Sequence, residues 1–152
     1  MANTPAKQAP TELVRLEIVD WDGPIVEIHF VRPLVSVEDV DRLVAEAEAF
    51  VKAHIAPWED GKAYFLTCYD NFSVPKQLAQ RLQDLFVGFN RRYSKGDVRY
   101  GGTLVAKTLV ISTAIRSESA SEIYATREEA LDHLRKRIRG RVAGAPIDRT
   151  RR

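Results

Sequence analysis

These 152 residues contain a single cysteine, Cys68. One cysteine makes no internal disulfide and no multi-cysteine metal site, so the fold must rest on its apolar core. No apolar run approaches the roughly 18 residues that span a bilayer. The opening stretch MANTPAKQAPTE has no apolar signal-peptide core and reads as a flexible polar leader. The three histidines, His29, His54 and His133, fall at no metal-ligand spacing. Neither G-x-x-x-x-G-K-[ST] nor G-x-G-x-x-G occurs, which removes the two common phosphate-cradling loops. The expectation from these absences is a cytoplasmic protein with no metal, no cofactor and no membrane span.

What is present suffices for one core. The length matches one domain, and 45% hydrophobic with 29% charged residues excludes wholesale disorder. The net charge of +2 is unevenly spread. From Arg135 to Arg152 there are eight Lys or Arg and one acid, Asp148, a net +7 that leaves residues 1–134 at −5. This end, with Arg91-Arg92, should bind anions weakly and without specificity. It carries no aromatic residues on which bases could stack.

Along the chain, Leu13–Trp21 and Ile25–Arg32 read as two strands joined at Asp22-Gly23, a strong hairpin signal. Ser36 can cap a helix, with Asp39 at the capping-box position. Its stripe is Val37, Val40, Leu43, Val44, Ala47, Phe50, Val51 and Ile55. The apolar run Ala63–Tyr69 suits a strand buried on both faces. A second helix is expected from Pro75, with Leu78, Leu82, Leu85, Phe86 and Phe89 inward. Phe86, Phe89 and Tyr93 form a row with Leu82, normally core and a partner surface if exposed. Then come a short strand ending in Gly101-Gly102, a helix over 103–117, a short strand at Ile123-Tyr124, and a helix capped by Thr126 with Glu129 completing the box. The order β-β-α-β-α-β-α-β-α implies parallel βαβ units beside an N-terminal β-hairpin. The expected layout is a leader over 1–12, one α/β domain over 13–140, and a disordered basic tail over 141–152.

This succession, with VRYGG (98–102) and the closing IYATREEALDHL (123–134), resembles the STAS/SpoIIAA-like superfamily. The likeness is to its branch of small standalone bacterial proteins and covers roughly Val14 to Ile138. It implies a mixed, mostly parallel sheet of four or five strands with helices packed on it. In the anti-sigma-factor antagonists of that superfamily, a serine after the central strand opens the next helix. A partner kinase phosphorylates it to control binding. Ser73 holds that place in the chain order. The antagonists' Asp-Ser-x-Gly pattern is absent: the loop reads Asp70-Asn71-Phe72-Ser73-Val74-Pro75.

Two loops hold the candidate residues. For Ser73 the commonplace role is N-cap of the following helix; the functional one is phosphoacceptor, with a phosphate favoured by the helix dipole and Lys76 within pairing reach. Asp70 and Asn71 are ordinary turn formers, yet they sit where open α/β sheets place ligands. Gly101, Gly102 and Thr103 form a turn needing positive φ that could also hold an anion on backbone N–H groups. This turn should lie beside the Ser73 loop, making the gap between them the place to seek a small ligand. Cys68 reads as a buried, inert thiol, and Trp21, Trp58 and Tyr69 as packing. No nucleophile–base pair can be assembled. The leading expectation is a non-enzymatic regulatory module that binds a protein partner, switched at Ser73. The alternative is a carrier or sensor of a small apolar or anionic ligand held between sheet and helix. A homodimer through the edge strand or the aromatic helix is a further expectation.

Overall fold

The computed structural model describes residues 12–20, 23–56, 60–102 and 123–142. The leader before Glu12, the tail after Val142, Trp21, Trp58, Thr103 and the helix expected over 103–117 lie outside them.

Strands β1 (Val14–Asp20) and β2 (Ile25–Phe30) form the expected antiparallel hairpin, pairing Val14 with Phe30 and Glu17 with Glu27. Gly23 takes φ 80° in the turn, a conformation glycine reaches without a Cβ penalty. Helix α1 (Val37–His54) follows. Ser36 Oγ accepts from the Asp39 N–H at 3.1 Å. Asp39 does not close the box. Its carboxylate accepts the Val35 N–H at 2.9 Å and both arms of Arg32 at 3.0 and 3.1 Å. Strand β3 (Ala63–Cys68) is buried throughout and runs parallel to β2. A 3₁₀ turn (Lys76–Leu78) precedes α2 (Ala79–Tyr93), which passes directly into β4 (Ser94–Tyr100), parallel to β3. The two-residue β5 (Ile123–Tyr124) extends the sheet in parallel, and α3 (Arg127–Val142) starts at the expected Thr126–Glu129 box. Strand order is β1-β2-β3-β4-β5.

The fold is therefore α/β, a five-stranded mixed sheet, parallel but for its hairpin. Period-2 alternation splits its side chains between two cores. One face carries Val26, Ile28, Phe30 and Phe65 against Val40, Leu43, Ala47, Leu82 and Phe89 from α1 and α2. The other carries Ile25, Tyr64, Leu66, Val98 and Tyr100 against Ala130, Leu131, Leu134 and Ile138 of α3. Each large apolar side chain so buried contributes about 1.5–3 kcal/mol before chain entropy is counted.

Three expectations need correction. Pro75 does not open an α-helix: its ψ of 143° is extended, so the first turn is 3₁₀ and the α-helix begins at Ala79. Ser73 consequently caps nothing, since no side chain bonds the start of either helical segment. Val37, counted in the buried stripe of α1, is 42% exposed. The aromatic row of α2 is core: Leu82 and Phe89 are buried, and the half-buried Tyr93 donates its hydroxyl to Glu48 at 2.6 Å.

Candidate functional site

The carboxyl ends of β2, β3 and β4 bring three loops together. After β3, the Tyr69 N–H donates to the Tyr100 carbonyl at 3.0 Å, continuing the ladder one step. Phe72 then turns into the core against Phe30 and Tyr69. With Phe72 anchored, Asp70, Asn71, Ser73 and Lys76 are all left exposed. The Ser73 carbonyl accepts the Leu34 N–H at 2.9 Å, fastening the loop after β2 to the loop after β3. Among the described residues, nothing bonds the Ser73 hydroxyl. The Leu34 segment carries Val35, 67% exposed, and leads to Val37.

Asp70 joins the third loop. Its Oδ1 accepts the Gly102 N–H at 3.2 Å. Gly101 and Gly102 take φ 73° and 95°, so the turn is of the positive-φ kind. The expected adjacency of the glycine turn and the Ser73 loop is present. One of the N–H groups expected to hold an anion is already taken by the Asp70 carboxylate. A Cβ on Gly101 would run into Asp70 Oδ1. Gly101→Ala should therefore lower stability by about 1–3 kcal/mol from positive φ and this clash together. Adding Asp70→Ala should recover the part due to the clash. Urea unfolding measures both, and wild-type stability in Gly101→Ala would contradict this geometry.

Two polar clusters lie inside the sheet's cores, and the sequence reading passed over both. On the α1/α2 side, Asp97 and Arg99 of β4 are 6% and 4% exposed. Asp97 Oδ1 stands 2.9 Å from an Arg99 terminal nitrogen, aligned so that Oδ1 has no hydrogen bond among the described residues. They line a cavity of about 40 Å³ with Thr67, Tyr69, Asn90 and the phenylalanine core. Burial pushes the Asp97 carboxyl up against the pull of Arg99 and Arg137, and the Tyr69 phenol up to about 12. On the α3 side, Glu27 of β2 is 1% exposed. It accepts Arg127 through both oxygens at 2.8 and 2.9 Å and the Tyr100 hydroxyl at 2.8 Å, with His29 at 3.0 Å. Glu17, Glu27 and His29 offer donor atoms within 4.8 Å of one another. Both Glu27 oxygens serve the Arg127 guanidinium, so the trio holds a cation already and carries no metal assignment. Cys68 is buried with its thiol pushed up by desolvation, the opposite of a reactive setting.

No family model matches the sequence, and no curated protein matches it either. The fold does have a solved counterpart. The chain is similar to an uncharacterised protein of the DUF3478 family from Shewanella loihica PV-4, whose crystal structure has a SpoIIAA-like fold. The TM-score is 0.58 at 15% identity, over 84% of this chain and 98% of that one. At that identity the likeness is one of fold. The chain has the SpoIIAA-like fold that its closing motif and element order implied. Among the described residues no helix is long and apolar enough to cross a membrane.

Proposed function

We propose that this protein is a non-enzymatic, cytoplasmic regulatory module that binds a protein partner through Val35, Val37 and the Ser73 loop. One observation carries the reading. Val35 and Val37 are the large hydrophobic side chains left exposed among the described residues, and a backbone hydrogen bond ties their segment to Ser73. Exposed apolar side chains beside an anchored polar loop suit a docking surface. The SpoIIAA-like fold supports the same reading as an analogy of fold. A phosphate on Ser73 would add a charge of about −1.5 to −2 next to the two valines. A partner docked on them would then have to desolvate that charge or supply a cation for it. Lys76 is the exposed cation of the same loop. Of the two supports for a homodimer, the aromatic row of α2 faces the core, which leaves the β1 edge.

Affinity capture from the host with wild type, Ser73→Ala, Ser73→Asp and Val35→Glu/Val37→Glu tests this. Wild type and Ser73→Ala should retain the same protein. The valine variant should lose it, and Ser73→Asp should retain about tenfold less, the effect of one unfavourable charge of about 1.4 kcal/mol. Identical captures by all four would overturn the reading.

A second reading, carrier or sensor of a small apolar or anionic ligand between sheet and helix, has one observation in its favour. The cavity on the α1/α2 side of β3 and β4 is lined by residues of all four elements together with Tyr69 and Phe72, which flank Asp70 and Asn71.

A further inference from the structure

Strand β1 ends the sheet, and among the described residues no strand pairs with its far side. Its ladder to β2 is regular from Val14 to Ile18 and shifts between Ile18 and Asp20. The Val31 N–H donates to the Leu13 carbonyl at 2.8 Å, which makes Leu13–Val31 a hydrogen-bonded pair. Antiparallel ladders alternate such pairs with non-hydrogen-bonded ones. Arg15 and Glu17 therefore turn their backbone groups to β2, and Val14, Leu16 and Ile18 turn theirs outward. Edge strands usually escape pairing through a bulge, a proline or charge. The regular stretch has no proline, and its two charges, Arg15 and Glu17, are opposite in sign. Both are exposed. Arg15 reaches Glu12 at 3.5 Å on the surface. Glu17 has no ion pair among the described residues, and its cross-strand neighbour is a second acid, Glu27. On the opposite face, Leu16 and Ile18 pack against the α1/α2 core yet stay partly exposed at the edge.

We propose that β1 pairs antiparallel with β1 of a second copy of this chain, centred on Leu16, so that one sheet runs through both copies. A two-fold contact sets each residue opposite the one equally far beyond the centre. Centred on Leu16, Leu16 meets Leu16, Val14 meets Ile18, and Arg15 meets Glu17 on both sides of the axis. The backbone agrees with this register. Val14, Leu16 and Ile18 hold the outward groups that hydrogen-bonded pairs need, and Arg15–Glu17 falls at the non-hydrogen-bonded positions, where side chains stand closer. A centre at Arg15 or at Glu17 would set that residue against itself, and like charges directly opposite are destabilising. A centre at Ile18 would run the pairing through the irregular end of the strand. The second copy thus supplies the cation that Glu17 lacks and covers the edge of Leu16 and Ile18. Five residues a side fall short of the about 20–30 of a standard interface, so the dimer should be weak and concentration-dependent. The contact does not involve Val35 or Val37, and it stands or falls apart from the partner proposed for them.

Sedimentation equilibrium of the full chain at low ionic strength tests this, with native mass spectra reading a second copy as a doubled mass. Wild type should dimerise as concentration rises. Arg15→Glu and Glu17→Arg change exposed side chains and set like charges across the axis, so each should weaken the dimer about tenfold or more. An equimolar mixture of the two variants should regain wild-type affinity, because across that contact every glutamate faces an arginine. Hydrogen exchange reads the register. The amides of Val14, Leu16 and Ile18 should gain protection with concentration, while those of Arg15 and Glu17 stay protected throughout. A wild type still monomeric at millimolar concentration, a dimer that neither variant weakens, or a mixture no tighter than either variant alone would overturn the proposal. So would protection of Leu16 that does not depend on concentration, which would mean that the edge is covered within one chain.

Discussion

Arg99→Met alone should lower the unfolding free energy by about 3–5 kcal/mol, because it leaves the Asp97 carboxylate buried without its cation. The double variant Asp97→Leu/Arg99→Met should return to within about 1 kcal/mol of wild type or exceed it, since apolar replacement of a buried pair is often neutral or stabilising. The contrast rests on the pair's near-complete burial and on the apolar core around it. The pH dependence has a definite sign. Burial raises the folded-state carboxyl of Asp97 above its unfolded value, and losing Arg99 raises it further. A raised carboxyl favours the folded state as it takes its proton. The deficit of Arg99→Met should therefore shrink as pH falls through that raised value. Urea unfolding of the three proteins between neutral pH and pH 4 measures this. A double variant as damaged as the single one would show instead that the ion pair itself holds the fold.

Glu27→Ala should cost about 3 kcal/mol. It strips the acceptor from the buried Tyr100 hydroxyl and from Arg127, the first residue of α3. Arg127 is partly exposed and can turn to water, which places the effect at the low end of the range for a broken buried pair. Burial raises the Glu27 carboxyl, but the hydrogen bonds from Arg127 and Tyr100, with the nearby charges of Arg127 and His29, outweigh it and hold the group below its ordinary value. A depressed carboxylate stabilises above the unfolded pKa of about 4.3 and loses that contribution as pH falls through the folded value. Wild type should thus lose stability between roughly pH 5 and 3, and Glu27→Gln should lose less over the same window. Calorimetric melting temperatures against pH decide it. Parallel profiles would mean that Glu27 does not hold α3 to the sheet.

Where one residue decides a local structure, the sequence was readable. Asp22-Gly23 marked the hairpin, Ser36 and the Thr126–Glu129 box marked two helix starts, and the apolar run at Ala63 marked the central strand. Gly101 and Gly102 declared their positive φ. What escaped depended on tertiary contact. Helix α2 starts later than its proline signal implies, because Pro75 is extended and follows a loop that Phe72 anchors in the core. Val37 fits the α1 stripe by spacing, yet as the first residue of the helix it stays exposed. Asp97, Arg99 and Glu27 were not singled out in the sequence. Only a sheet covered on both faces buries them. A signal was available: charges alternating with apolar residues on strands that lie between crossover helices cannot all reach water. The candidate site was half legible. The Ser73 and Gly101-Gly102 loops do meet, through Asp70. The valine surface and the cavity were absent from the reading.

The most direct test of the partner surface is native mass spectrometry on the full chain isolated gently from its host, wild type beside Val35→Glu/Val37→Glu. Wild type should carry a second polypeptide that the double variant lacks, with any phosphoryl-sized mass on Ser73 confined to chains that have lost that partner. A partner held equally by both proteins, or a wild-type chain that carries no second polypeptide in either phosphorylation state, would contradict it.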